Sequence, residues 1–193
     1  MPDKYENFFQ LEAAEPVGSY RIEHVERNTP LALIAPHAGR IEPGTSELCR
    51  AIAGGDRSYY LFEGCKLTSN TQLHITSTRF DEPQALSIAK SARLVVTIHG
   101  QAGADEFVNV GGMEAAIGRV IIERLRAEGY KASRHSKAAL QGLDPANICN
   151  QGYSGRGIQL EISRGLRDRL VASDVEMERF AATIRASLAT QRL

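Results

Sequence analysis

Two short, largely apolar runs, LALIA at 31–35 and LVVTI at 94–98, each deliver the chain to a histidine, and that repetition limits what the sheet around them can be. An unbroken apolar run of this length is the mark of a strand covered on both faces. Pro36 stops the first run ahead of His37, and His99-Gly100 closes the second. Two such strands predict one parallel sheet whose carboxyl edge carries both imidazoles, the edge at which open α/β sheets take their ligands.

The first histidine has a carboxylate nearby. Gly39 lets the chain bend, and Pro43, Gly44 and the candidate caps Thr45 and Ser46 announce a helix carrying Leu48, Ala51 and Ile52. Glu42 is held in the intervening turn. An imidazole and a carboxylate on a tight loop at a strand end can converge on one divalent ion, typically zinc with nitrogen and oxygen ligands. His99 supplies a second ring at the same sheet edge. Further on, Ile158, Leu160 and Ile162 alternate with Gln159, Glu161 and Ser163, so Glu161 sits on the polar face of a strand, where a zinc hydrolase needs its general base.

The rest of the chain alternates strands and helices. Strands are predicted at 20–25, near a sheet edge, at 58–62, at 73–75 and at 130–134. Helices are predicted from Glu82-Pro83 with Asp81 as cap, at 113–128, and at about 174–189. Residues 101–112 read as a polar loop forming part of the cleft wall. Residues 143–152, with Asn147, Asn150 and Gln151, read as a loop that can mould itself on a ligand. Residues 1–16 read as a polar leader, flexible or late to pack, able to dock through Phe8, Phe9 and Leu11. The expected architecture is a single α/β domain over 1–193, a mostly parallel or mixed central sheet with helices on both faces.

Composition removes several function classes. Lys plus Arg and Asp plus Glu are 23 each, so no global basic field favours nucleic acid. No run approaches the ~20 apolar residues of a membrane span, and the N-terminus has no apolar core of signal length, so an unexported, cytoplasmic chain is expected. Cys49, Cys65 and Cys149 are odd in number and unclustered, and are read as reduced thiols. No GxSxG elbow occurs, and the glycines at 100, 103, 111 and 112 do not make a dinucleotide fingerprint.

Taken together, HAGRIEPGTSEL at 37–48, LHITS at 73–77, TIHG at 97–100 and QLEIS at 159–163 resemble the poly-γ-glutamate hydrolase family of phage and bacterial enzymes, across roughly 20–185. The first motif is the specific one. The resemblance implies a zinc carboxypeptidase-like fold and a single zinc held by His37, Glu42 and His99, with Glu161 as the catalytic glutamate. Glu47, inside the helix, is left out of the metal shell. A γ-linked glutamate chain offers a free α-carboxylate at each residue, which a guanidinium matches with two parallel hydrogen bonds. Among Arg40, Arg79, Arg156 and Arg164, the positions of Arg164 and Arg79 make them the preferred carboxylate binders. The expected partner is an acidic polymer or a small acidic amide. A phage-encoded enzyme would be freed by lysis, and the sequence leaves the oligomeric state open.

Other readings stay beside this one. His24 and His135 read as structural, and His74 as a supporting or core group as readily as a catalytic one. A deformylase or deacylase of N-acyl acidic amino acids, or a non-catalytic relative that binds a metal or an acidic ligand, fits the same residues.

Overall fold

Both histidine-bearing runs become central strands. In this computed structural model, which describes residues 3–189, the elements in order are α1 (Phe8–Ala14), β1 (Tyr20–Val25), β2 (Leu31–Gly39), α2 (Thr45–Ala53), β3 (Ser58–Gly64), α3 (Pro83–Ser91), β4 (Leu94–Gln101), β5 (Val108–Gly111), α4 (Ala115–Ala127), β6 (Ala132–Arg134), β7 (Ile158–Ser163), α5 (Arg164–Val171) and α6 (Asp174–Ala189). Short 3₁₀ turns lie at Asn70–Leu73, Ala138–Leu140 and Ile148–Asn150.

The seven strands form one mixed sheet in the order β1-β3-β2-β4-β7-β5-β6. β3, β2, β4 and β7 run parallel, whereas β1 is antiparallel to β3 and β5 to β7. Side chains of β2 explain why its sequence shows no alternation. Leu31, Leu33 and Ala35 join one core with α2, α4, α5 and α6, while Ala32 and Ile34 join another with α1 and α3. Both faces of the strand are therefore dry, as helices on both sides of an α/β sheet require.

The parallel stacking sets the site. β2, β4 and β7 are neighbours, so the residues at their carboxyl ends, His37, His99 and Glu161, come to one edge.

Several expectations need correction. Pro36 does not end β2: the strand continues to Gly39 through a bulge, in which one extra residue between Ala35 and Ala38 faces β3. Proline has no N–H to give a ladder, and a bulge is where it fits. The 101–112 loop ends in β5, whose Val108 and Val110 are buried against β7; four residues are too few for a pattern to be read. The segment at 73–75 forms no strand and follows a 3₁₀ turn instead. α5 was not expected; Ser163 caps it by accepting from the Leu166 N–H. Asp81 is not the cap of α3. Glu82 takes that role through the Ala85 N–H, and Asp81 accepts from the Phe8 N–H of α1.

The described part of the leader is packed. Leu11 is fully buried, Tyr5 and Phe8 are buried, and Phe9 is exposed. Residues 1 and 2 lie outside the described residues. Among the described residues, no helix is long and apolar enough to cross a membrane.

Candidate metal centre

The bulge in β2 places His37 beside the end of β4. His37 Nδ1 lies 3.2 Å from His99 Nδ1 and 3.5 Å from Glu42 Oε1. Among the described residues, candidate ligand atoms of His37, Glu42 and His99 all fall within 4.8 Å of one another. Two donor atoms each 2.0–2.1 Å from a tetrahedral ion sit roughly 3.3–3.4 Å apart, so the observed spacings fit one such ion.

Each donor is aimed by its surroundings. His37 Nε2 donates to the Ile75 carbonyl at 2.8 Å, which fixes a proton on that nitrogen and aims Nδ1 towards Glu42 and His99. Glu42 Oε2 accepts from the Gly100 N–H at 2.7 Å, which leaves Oε1 for His37. His99 is buried, its Nε2 has no hydrogen-bond partner among the described residues, and packing alone holds that side of the ring.

Electrostatics follow from burial. Burial works against charge on His37, but adjacent Glu42 raises its pKa above the ordinary value. His99 is pushed down to about 3, by burial and then by His37. Burial raises the Glu42 pKa, but His37, His99 and the Gly100 N–H together bring it below the ordinary value, so it remains a carboxylate. One anion and two imidazoles, of which His99 is held neutral, are a donor set suited to a divalent cation.

Glu161 is the register partner of His99 across the β4–β7 ladder. It is buried, its Oε1 accepts from Gln159 Nε2 at 2.9 Å, and burial together with Glu42 pushes its pKa up to about 8. A carboxyl group that titrates near neutrality can both take and give a proton at working pH.

A cleft of about 570 Å³ opens beside the group, lined by Ile41, Glu42, Gly100, Gly103, Arg164 and Arg167 among others. Arg167 was missed in the sequence. It is buried one turn into α5, donating to the carbonyls of Ile162 (3.0 Å), Gln101 (3.4 Å) and Pro43. Recognition of 164–171 as a helix would have pointed to it. Arg164 is exposed at the cleft and pairs with Asp168 at 2.6 Å. Arg79 lies outside this cleft and binds Asp3 at 2.7 Å. Asn150 does not fit the substrate-contact role expected of it: it is buried, and its amide is spent on the Gly142 and Asp144 carbonyls and the Gly157 N–H. His74 stacks on His37 with ring centroids 3.9 Å apart. His24 is exposed, His135 is buried, and neither belongs to the metal group. Glu47 is exposed on α2.

Known proteins are similar to this chain in sequence and fold. The sequence matches the family described as poly-gamma-glutamate hydrolase over residues 5–186. It is 44% identical to the UPF0714 protein YmaC of Bacillus subtilis (strain 168) over 169 residues, 86% of this chain and 72% of YmaC. The fold is similar to that of a bacteriophage poly-gamma-glutamate hydrolase, with TM-score 0.91, 34% identity and 98% of each chain covered. It is also similar to a zinc-free apo form of YndL, with TM-score 0.94, 33% identity and 100% of each chain covered.

Proposed function

The chain belongs to the poly-gamma-glutamate hydrolase family, and from that premise we propose that it is a zinc-dependent hydrolase cutting the γ-glutamyl amide bonds of an acidic polymer. The observation that carries the zinc is the convergence of ligand atoms of His37, His99 and Glu42 within 4.8 Å of one another, with His37 Nδ1 3.2 Å from His99 Nδ1 and 3.5 Å from Glu42 Oε1. These three side chains would hold the ion. When bound, zinc supplies a Lewis acid that polarises an amide carbonyl and acidifies water towards a pKa of ~7.

The protein's own groups do the rest. Glu161, buried opposite His99 in the β4–β7 ladder, takes the proton of the attacking water and passes it to the departing nitrogen. Gly100 and Arg167 keep the Glu42 loop in place, the first through its N–H on Glu42 and the second through the Pro43 carbonyl. Arg164, at the cleft mouth, offers a guanidinium to a substrate carboxylate.

Incubation of the purified protein with polymeric γ-glutamate tests the reading. Shortening of the polymer that chelation abolishes and zinc restores is the expected result. Unchanged polymer length in the zinc-loaded protein would overturn it.

A further inference from the structure

A cluster of carboxylate-binding donors lies beside His37, around His74. Asp3 Oδ1 accepts from His74 Nδ1 at 2.7 Å, and Asp3 Oδ2 from the Thr76 N–H at 2.6 Å and from Arg79 Nη2 at 2.7 Å. The Asp3 side chain is only 5% exposed. An imidazole, a backbone amide and a guanidinium around one carboxylate are the donors with which proteins recognise carboxylates. Burial works against the Asp3 anion, yet the bonds from Thr76 and His74 outweigh it and bring its pKa down to about 2.

The N-terminal segment has other anchors besides this cradle. α1 is already tied down by buried Phe8 and Leu11, by the Asp81 bond to the Phe8 N–H, and by Glu15 with Lys4 and Lys66. The cradle instead abuts the metal group. His74 stacks on His37, and the intervening Ile75 carbonyl accepts from His37 Nε2. The cleft meets the same group at Glu42.

We propose that His74, the Thr76 N–H and Arg79 form a carboxylate-binding subsite for a free α-carboxylate of a γ-linked glutamate chain, and that Asp3 is an internal occupant which the substrate displaces. The proposal rests on the γ-glutamyl reading of the site. In a γ-linked chain every amide bond has an α-carboxylate close by on either side, so a polymer held at the metal group presents one near His74. Asp3 offers the same group from within the chain and competes for the same three donors.

The test uses the full chain as wild type, Asp3→Ala and the double variant Asp3→Ala, Arg79→Ala. Binding of a γ-linked glutamate oligomer is measured calorimetrically after chelation, so that no turnover intervenes, and KM and kcat on the polymer are measured with zinc restored. Asp3→Ala is expected to bind the oligomer about tenfold more tightly than wild type and to lower KM at similar kcat, and the added Arg79→Ala to remove the gain. A merely structural role for Asp3 would lower the melting temperature and leave oligomer binding unmoved, which overturns the proposal. Polymer cleavage with equal oligomer binding in all three proteins sinks the subsite and leaves the hydrolase standing. Tighter binding by Asp3→Ala without cleavage by any of them does the reverse.

Discussion

Glu161 stands opposite His99 in the parallel β4–β7 ladder. The pairing is a property of sheet register, and a slip of one residue would turn Glu161 to the other face, into the apolar core. The proposed base and one candidate ligand are therefore positioned by the same backbone hydrogen bonds, without help from a flexible loop.

Replacement of that one oxygen by nitrogen separates chemistry from metal holding. Glu161→Gln keeps the shape of the side chain and removes its capacity to carry a proton. The expected result is a kcat lower by ~10²–10⁴-fold with unchanged metal content, read by steady-state assay and elemental analysis. A loss below tenfold would assign the proton to another group.

Arg167 predicts a coupled loss of stability and activity. Its guanidinium serves three carbonyls beneath the Glu42 turn. Arg167→Met leaves buried acceptors unpaired and is expected to cost about 2 kcal/mol or more in denaturant melts, with lower turnover. Gly100→Ala acts on the same contact from the other side, since a Cβ there would lie 2.6 Å from Arg167 Cζ and the pinned guanidinium cannot withdraw freely. Melts and rates equal to wild type in both variants would remove Arg167 from the account.

Acid should release the N-terminal segment first. Burial raises the pKa of Glu15, but bonds from Tyr5, Lys4 and Lys66 prevail and lower it from 4.5 to about 2; Asp3 is lowered from 3.8 to about 2. Carboxylates depressed on folding contribute stability that is complete above their unfolded pKa values and is lost as pH falls through the folded ones. Between pH 4.5 and about 2, hydrogen-exchange protection of α1 is expected to fall ahead of that of β2 and β4. Simultaneous loss in all three elements would contradict this.

What could be read from the sequence was governed by length of pattern. β2 and β4 showed because both faces of each are buried, and α4 and α6 because their apolar stripes run over several turns. β5 was lost because four residues carry no period, and α5 because Arg164 to Arg169 is dominated by charge, with its inward residues reduced to Leu166, Arg167 and Leu170. The candidate site residues were legible because His37 and His99 end apolar runs, Glu42 follows in the turn after the first, and Glu161 lies on the polar face of an alternating strand. Arg167 and Asp3 were not: their roles depend on contacts 124 and 71 residues away in sequence, to Pro43 and His74. Local spacing carries no record of such pairings.

Zinc content tests the central claim most directly. The purified chain and His99→Ala, both incubated with zinc and freed of excess, are compared by elemental analysis. The account predicts about one zinc per wild-type chain and little in the variant, because removal of His99 takes away one of three protein ligands. Equal zinc in both, or none in the wild type, would contradict it.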